Sequence, residues 1–169
     1  MNSQLLISII ESIHTSKGHY PGKKELQKSV YLLQNKGLDL GYSYRFYFYG
    51  PYSDALDEDI QRLAIQGVLA INHEEMTHRI TVKLSPEAES IEDDKVKLIR
   101  STANELKNIT PIQLELMSTI LFIINNNMVP ENYNEDDIID KVSDLKGDKY
   151  SDDDVKKYYK LLLDNKYIH

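Results

Sequence analysis

Tyrosine is concentrated in one short part of the chain. Seven of the twelve tyrosines lie between Tyr20 and Tyr52, and the segment 42–53 reads YSYRFYFYGPYS. Aromatic residues favour extended structure, so Tyr44–Tyr49, ended by Gly50-Pro51, is predicted as a short strand or an extended, buried segment. Alternate side chains of an extended segment point to opposite faces, and here both faces would carry rings. We therefore expect either burial of both faces or one face held for a partner.

The pattern of apolar residues on both sides of this segment is mainly helical. Helices are predicted over residues 3–16 and 23–36, and from an N-cap at Ser53 to about Gly67. Two β-prone runs, Val68–Ile71 and Arg79–Leu84, then predict a hairpin joined by the polar connection NHEEMTH. Three helices followed by a hairpin have the order of a winged helix. The alternative is a hairpin that caps a helical bundle.

The second half of the chain is also helical in pattern. Its predicted helices run from Pro86 to about Asn108, from the Thr110-Pro111 cap through Ile124, over Asn134–Leu145, and from Ser151 through Leu163. We therefore predict a mainly α fold with a small β-hairpin, in which a winged-helix-like domain of residues 1–85 packs on an acidic helical domain of residues 86–169. Segments 53–69 and 151–168 share a serine cap, an acidic first turn and an apolar stripe. The second domain could thus be a degenerate second three-helix unit, although any capped amphipathic helix would show this likeness.

Charge is unevenly distributed between the halves. Residues 1–85 are neutral, whereas residues 86–169 carry the whole net charge of −7. The apolar runs are too short for a membrane span, and the N-terminus lacks the basic flank of a signal peptide. The absence of cysteine excludes disulfides, zinc–thiolate sites and thiol nucleophiles. Together these features predict a cytoplasmic protein without a membrane association.

Motifs for catalysis or cofactor binding are missing from the sequence. GxSxG, GxxxxGK[ST], GxGxxG and HExxH do not occur, so we predict no enzyme activity, no cofactor and no metal. His73 and His78, with Glu74 and Glu75, could converge on a divalent cation across the predicted hairpin, but a solvated polar loop is the favoured interpretation. Acidic runs at residues 92–94, 135–137 and 152–154 could bind Mg²⁺. The helix dipole at a predicted helix start fully explains the last two runs.

The predicted third helix is a poor candidate for reading DNA. It carries a charge of −3, from Asp54, Asp57, Glu58, Asp59 and Arg62. Binding by this face would bring carboxylates against phosphates, so nucleic acid is disfavoured there. The second helix, with Lys23, Lys24 and Lys28, is the one element suited to face phosphates. A protein partner is therefore the favoured interpretation, because tyrosines such as Tyr47 and Tyr49 supply large contact area, and exposed aromatics are also compatible with a homodimer.

Two motifs carry a family resemblance. KELQKSVYLL, residues 24–33, resembles the KLQKxxYL helix of the YwgA-like proteins, and FYGPYS, residues 48–53, resembles their turn of the same sequence. The likeness covers about residues 20–70, and the motif positions are Lys24, Leu26, Lys28, Tyr31, Gly50, Pro51 and Tyr52. Residues 86–169 carry no matching motif.

The YwgA-like proteins look related to the SocA/Panacea group, whose domains resemble antitoxins and proteolytic adaptors and include members linked to phage. The resemblance therefore implies a non-enzymatic protein-interaction module, an adaptor or regulator of antitoxin or phage-defence type. The alternative is a winged-helix DNA-binding regulator. The long acidic second half departs from the Panacea pattern. The resemblance leaves two roles open for Lys28 and Tyr31, which could hydrogen-bond the Gly50-Pro51 turn or contact a partner.

Overall fold

A computed structural model of the chain describes residues 3–84 and 91–169. Within these residues the fold is mainly helical, as predicted, with two small antiparallel hairpins. The elements in chain order are α1 (Ser3–Lys17), α2 (Lys23–Asn35), β1 (Arg45–Tyr47), β2 (Gly50–Tyr52), α3 (Asp54–Ile65), β3 (Leu69–Glu74), β4 (Thr77–Val82), α4 (Asp93–Glu105), α5 (Pro111–Asn125), α6 (Glu135–Lys146) and α7 (Asp152–Asp164). None of these helices is both long and apolar enough to cross a membrane.

The hairpin formed by β1 and β2 was not predicted. Tyr47 pairs with Gly50 and Arg45 with Tyr52, and Phe48-Tyr49 forms the turn. The prediction ended the extended segment at Gly50-Pro51, but the chain reverses one step earlier. Gly50 has a φ of +87°, which a residue with a side chain rarely adopts, so the second strand can begin directly after the turn. The predicted small hairpin is confirmed in β3 and β4, and the pair of β1 and β2 is an addition to it.

The second hairpin is longer than predicted. The ladder of β3 and β4 continues through His73–His78 to Glu74–Thr77, so most of the polar NHEEMTH segment is strand and only Glu75-Met76 turns. Polar residues can extend this ladder because the hairpin end projects into solvent. α3 leads directly into β3, which is the order expected of a winged helix. The winged-helix assignment itself stays a prediction.

Two hydrophobic clusters share α2 as a common wall. Leu26, Val30 and Leu33 of α2 face the cluster built from α1, α3, β3 and β4, whereas Tyr31 and Leu32 face the one built from α5, α6 and α7. α4 packs along α1 and buries Ile99 in the first cluster. The predicted division at residues 85/86 stays a prediction, and that boundary lies outside the described residues.

Helix ends follow their capping residues. The restart at Thr110-Pro111 is confirmed, since Thr110 and Gln113 form a capping box, and Ser53 and Ser151 each accept a backbone N–H from the first turn of their helix. α4 begins at Asp93, and residues 91 and 92, which the prediction placed inside this helix, are not helical. The predicted start, over residues 86–90, lies outside the described residues.

Candidate interaction surface

The hairpin of residues 45–52, here called the aromatic hairpin, has one packed face and one open face. Phe46 lies 5.5 Å from Phe122 between ring centroids and packs on the second cluster. Tyr47, Phe48 and Tyr49, here called the aromatic tip, are 43%, 78% and 47% exposed. The expected burial of both faces is therefore not found, and a partner for the open face stays a prediction. Exposed clusters of aromatic side chains mark interaction surfaces, so these three adjacent rings make the tip a candidate site.

Side chains of α2 hold the base of the aromatic hairpin by buried hydrogen bonds. The Gln27 amide donates to the Ser53 carbonyl at 2.9 Å and accepts from the Ser53 N–H at 2.9 Å. Lys28 Nζ donates to the carbonyl oxygen of Pro51 at 2.8 Å. Because these residues are buried, the bonds fix where the chain enters and leaves the second strand.

The hairpin base also lies tightly against α5. A Cβ built on Gly50 would stand 3.1 Å from Thr119 Oγ1 and 3.5 Å from Glu115 Cγ. Gly50 and Pro51 are both buried in this contact. The Gly-Pro pair of the FYGPYS motif therefore serves close backbone approach to a helix as well as the turn.

A carboxylate beneath the aromatic tip collects several lysines. Glu115 accepts from Lys146 at 2.7 Å and from Lys149 at 2.9 Å. Burial opposes ionisation of Glu115, but the hydrogen bonds from the two lysines outweigh it and hold its pKa below the ordinary value. Lys146 also donates to the carbonyl of Phe48 at 3.0 Å. The C-terminal half thus fixes the turn of the aromatic hairpin through one side chain.

Lys28 is the most perturbed cation in this region. Burial lowers its pKa to about 8, against an opposing effect of Glu115, while Lys146 and Lys24 reinforce the lowering. Only 3% of the side chain is exposed. Of the three lysines expected to face phosphates, Lys28 is therefore withdrawn into the protein, because its ammonium group is bound to the Pro51 carbonyl.

The remaining basic groups form a rim around the aromatic tip. Lys24 Nζ lies 3.2 Å from the centroid of the Tyr49 ring, and the Arg45 guanidinium lies 4.5 Å from that of Tyr47. Between the tip and the C-terminal half runs an open groove of about 570 Å³. Its lining consists of Phe46, Tyr47, Phe48, Leu145, Lys146 and Lys149. Rings and cations thus lie beside one another both at the tip and in the groove.

The other motif residues have packing roles in the structure. Leu26 is fully buried in the first cluster, and Tyr31 is buried in the second, where its ring lies 4.7 Å from that of Tyr44 and its hydroxyl accepts from Asn125 at 3.2 Å. Tyr52 is half-buried at the foot of the hairpin, where burial together with Asp57 raises its pKa to about 12. The candidate residues therefore combine a scaffold from the motifs (Leu26, Lys28, Tyr31, Gly50, Pro51) with exposed groups at Lys24, Tyr47 and Tyr49.

The acidic face of α3 is less charged than its sequence indicates. Asp54 binds Arg45 in a bidentate pair at 2.9 and 3.0 Å, and the guanidinium lowers the pKa of that carboxyl. Asp57 pairs with Lys23 at 2.6 Å. Asp59 is buried and binds both Arg62 and the hydroxyl of Tyr42. The −3 counted on this helix is thus partly balanced by Lys23 and Arg45, which lie outside it.

The two histidines of the second hairpin face each other. His73 and His78 pair across the strands, with ring centroids 4.4 Å apart and planes nearly perpendicular. Within residues 3–84 and 91–169, no group of three or more histidine or carboxylate side chains is placed to hold a metal ion. In the described part of the chain, the two histidines therefore have no third side chain beside them that could complete a metal site.

Sequence reasoning missed the contribution of the second half to this surface. Glu115, Lys146 and Lys149 were not among the candidate residues. One signal was available, since Glu115 is the sole charged residue of α5, the most apolar helix, and a carboxylate among buried side chains requires a cationic partner. Nothing in the sequence indicated which lysines would supply it.

Comparison with known proteins gives a limited result. No protein-family model matches the chain. A segment of 57 residues is 35% identical to "Uncharacterized protein YwgA" of Bacillus subtilis (strain 168). The aligned segment covers 34% of this chain and 34% of that protein, so the similarity spans about a third of each. It weakly supports a YwgA-like relationship over part of the chain.

Proposed function

We propose that the chain is a protein-interaction module, an adaptor or regulator of the antitoxin or phage-defence type, which docks a partner protein on the aromatic tip. The observation that carries this proposal is the combination of exposure and fixation. Tyr47, Phe48 and Tyr49 are exposed, while the second strand is held by buried bonds from Gln27 and Lys28, and the turn by a bond from Lys146. A rigid aromatic surface loses little conformational entropy on binding, which favours interface formation.

The alternative is a winged-helix DNA-binding regulator that faces phosphates with α2. Of the lysines that this role requires, Lys28 is buried and Lys23 is paired with Asp57. Arg45 is likewise occupied by Asp54 of α3, so neither of the two paired cations is free to neutralise phosphates. The α2 face is therefore the weaker candidate surface.

Site-specific crosslinking tests the proposal in cells. A photo-crosslinking residue at position 48 is compared with one at Ile65, a matched control that is 87% exposed on α3. We expect one identified protein to be captured from position 48 and not from position 65. The complex is then rebuilt from purified components, where Phe48→Ala should weaken binding by about 2 kcal/mol or more. The proposal would be overturned if Phe48→Ala and the wild type bound the partner with equal affinity, or if the partner were captured from position 65 alone.

A further inference from the structure

Positive charge collects around the aromatic tip of a chain that is acidic overall. Lys24, Lys146 and Lys149 lie around this surface and Lys28 is buried beneath it, while Glu115 pairs with Lys146 and Lys149. Asp148, exposed between two of these lysines in the sequence, still leaves the cations in excess. Arg45 is balanced by Asp54 and adds no net charge. The surface is therefore locally cationic, in contrast to the net charge of −7.

From this excess charge we infer that an acidic segment of the partner binds in the groove between the aromatic tip and residues 145–149. In this segment, carboxylates stand beside apolar or aromatic side chains. The inference rests on the proposed function and adds the chemistry of the partner. Apolar side chains of the segment would pack against Phe46, Phe48 and Leu145, which line the groove. Its carboxylates would meet Lys149 on one side and Lys24 on the other.

The two outer lysines are free to meet a partner without loss of the fold. Lys149 keeps 38% of its side chain exposed while it pairs with Glu115. Lys24 is exposed at the start of α2 and lies on the face of Tyr49. Glu115 carries one negative charge and is shared by Lys146 and Lys149, so it cannot balance both lysines. A carboxylate of the partner at Lys149 would balance the remaining positive charge. Complementary charge at such a rim selects the partner and speeds its association.

A peptide fits this surface better than a nucleic acid does. Single-stranded nucleic acids bind aromatic platforms by stacking bases on open ring faces. Here Lys24 lies over the ring of Tyr49, and Arg45 lies over that of Tyr47. A phosphate backbone would also extend beyond the patch over a chain with excess negative charge, whereas a short peptide contacts only the groove.

Selection from a random dodecapeptide library on phage tests the inference with the whole chain as target. We expect enriched peptides to combine aspartate or glutamate with apolar residues. A synthetic copy should bind about tenfold more weakly to Lys24→Glu/Lys149→Gln, and affinity should fall as salt rises. Lys160→Glu/Lys156→Gln, which changes two exposed lysines on α7 and the net charge by the same amount, is the matched control and should bind like the wild type. The first substitution places an acidic residue in the first turn of α2, where it suits the helix dipole, so the fold should be retained.

The outcomes separate the inference from the proposed function. Enriched peptides that lack excess carboxylates but still require Phe48 would overturn the acidic partner and leave the interaction module. Peptides that bind Phe48→Ala as well as the wild type would overturn the surface itself. No enrichment over the Lys24→Glu/Lys149→Gln protein, or displacement of the peptide by a mixed-sequence single-stranded oligonucleotide, would also overturn the inference.

Discussion

The two hairpins of this protein are held in place by different interactions. β3 and β4 pair six residues on each strand and bury Leu69 and Ile80 in the first cluster. β1 and β2 pair only three residues on each strand, which is too short a ladder to be stable alone. The short hairpin depends on side chains from α2, α5 and the end of α6. A hairpin held from outside its own ladder presents its turn rigidly, which suits a recognition surface.

Removal of the lysine under the short hairpin should give the largest effect. Lys28→Ala leaves the Pro51 carbonyl without its donor and opens a void, so we expect the free energy of unfolding to fall by about 2–3 kcal/mol. Hydrogen exchange should rise at the amides of β1 and β2 and stay slow in β3 and β4. The measurements are urea denaturation and exchange followed by mass spectrometry.

Lys24→Ala is the matched control on the same helix, because Lys24 is exposed and its loss should cost no more than about 0.5 kcal/mol. If hydrogen exchange rose equally in both hairpins of Lys28→Ala, the short hairpin would not depend on α2 more than the long one does. Unchanged exchange in β1 and β2 would show that the Lys28 bond does not hold the short hairpin.

The sequence predicted the helices and the second hairpin because both depend on local patterns. Apolar periodicity and the caps at Ser53 and Thr110 define helices without reference to distant residues. The short hairpin could not be found in this way, since its stability comes from Gln27 and Lys28, more than 20 residues earlier in the chain. The same holds for Lys146, whose partner Phe48 lies 98 residues away. A sequence pattern therefore indicates local elements, whereas the long-range partners of their side chains depend on the packing of the whole fold.

The next effect tests the close contact at the hairpin base. Gly50→Ala introduces a methyl group 3.1 Å from Thr119 Oγ1 at a φ of +87°, so it carries both backbone strain and crowding. We expect a loss of about 2 kcal/mol in the free energy of unfolding. Gly67→Ala is the matched control, since Gly67 has a φ of +75° with nothing within 4 Å of the added Cβ.

The difference between the two alanine variants isolates the contact with α5. Gly67→Ala should cost only the backbone strain, about 1 kcal/mol. The free energy of unfolding of both variants is measured by thermal and urea denaturation. If Gly50→Ala and Gly67→Ala lose the same amount, Thr119 and Glu115 move aside for the added methyl group. The contact would then contribute little to the position of the aromatic hairpin.

The pH dependence of stability provides a smaller test of the buried cation. The ordinary pKa of lysine is 10.5 and burial lowers that of Lys28 to about 8, so between these pH values the unfolded chain binds a proton that the folded chain does not. The free energy of unfolding should therefore rise with pH from about 8, by at most about 1.4 kcal/mol per unit. Above about pH 9 this rise should reverse, because burial raises the pKa of several tyrosines, such as Tyr44 and Tyr167, which lose their protons first in the unfolded chain.

Lys28→Met identifies the source of the rise, since methionine keeps the apolar stem and removes the titrating group. Urea denaturation at intervals between pH 7 and 9 should give a flat profile for this variant and a rising one for the wild type. A rise of the same size in both proteins would assign it to other groups. The buried lysine would then be solvated well enough to titrate normally.

The smallest effect on stability should come from the two hairpin turns. Phe48 and Met76 are 78% and 90% exposed, so alanine at either position should change the free energy of unfolding by no more than about 0.5 kcal/mol. Their effects on partner binding should differ, because Phe48 stands on a hairpin fixed by buried bonds and Met76 on one that projects from the fold. Isothermal titration of the reconstituted partner should show binding lost in Phe48→Ala and kept in Met76→Ala. Loss in both would extend the docking surface to the second hairpin, and loss in Met76→Ala alone would move it there, so this pair of variants decides which hairpin recognises the partner.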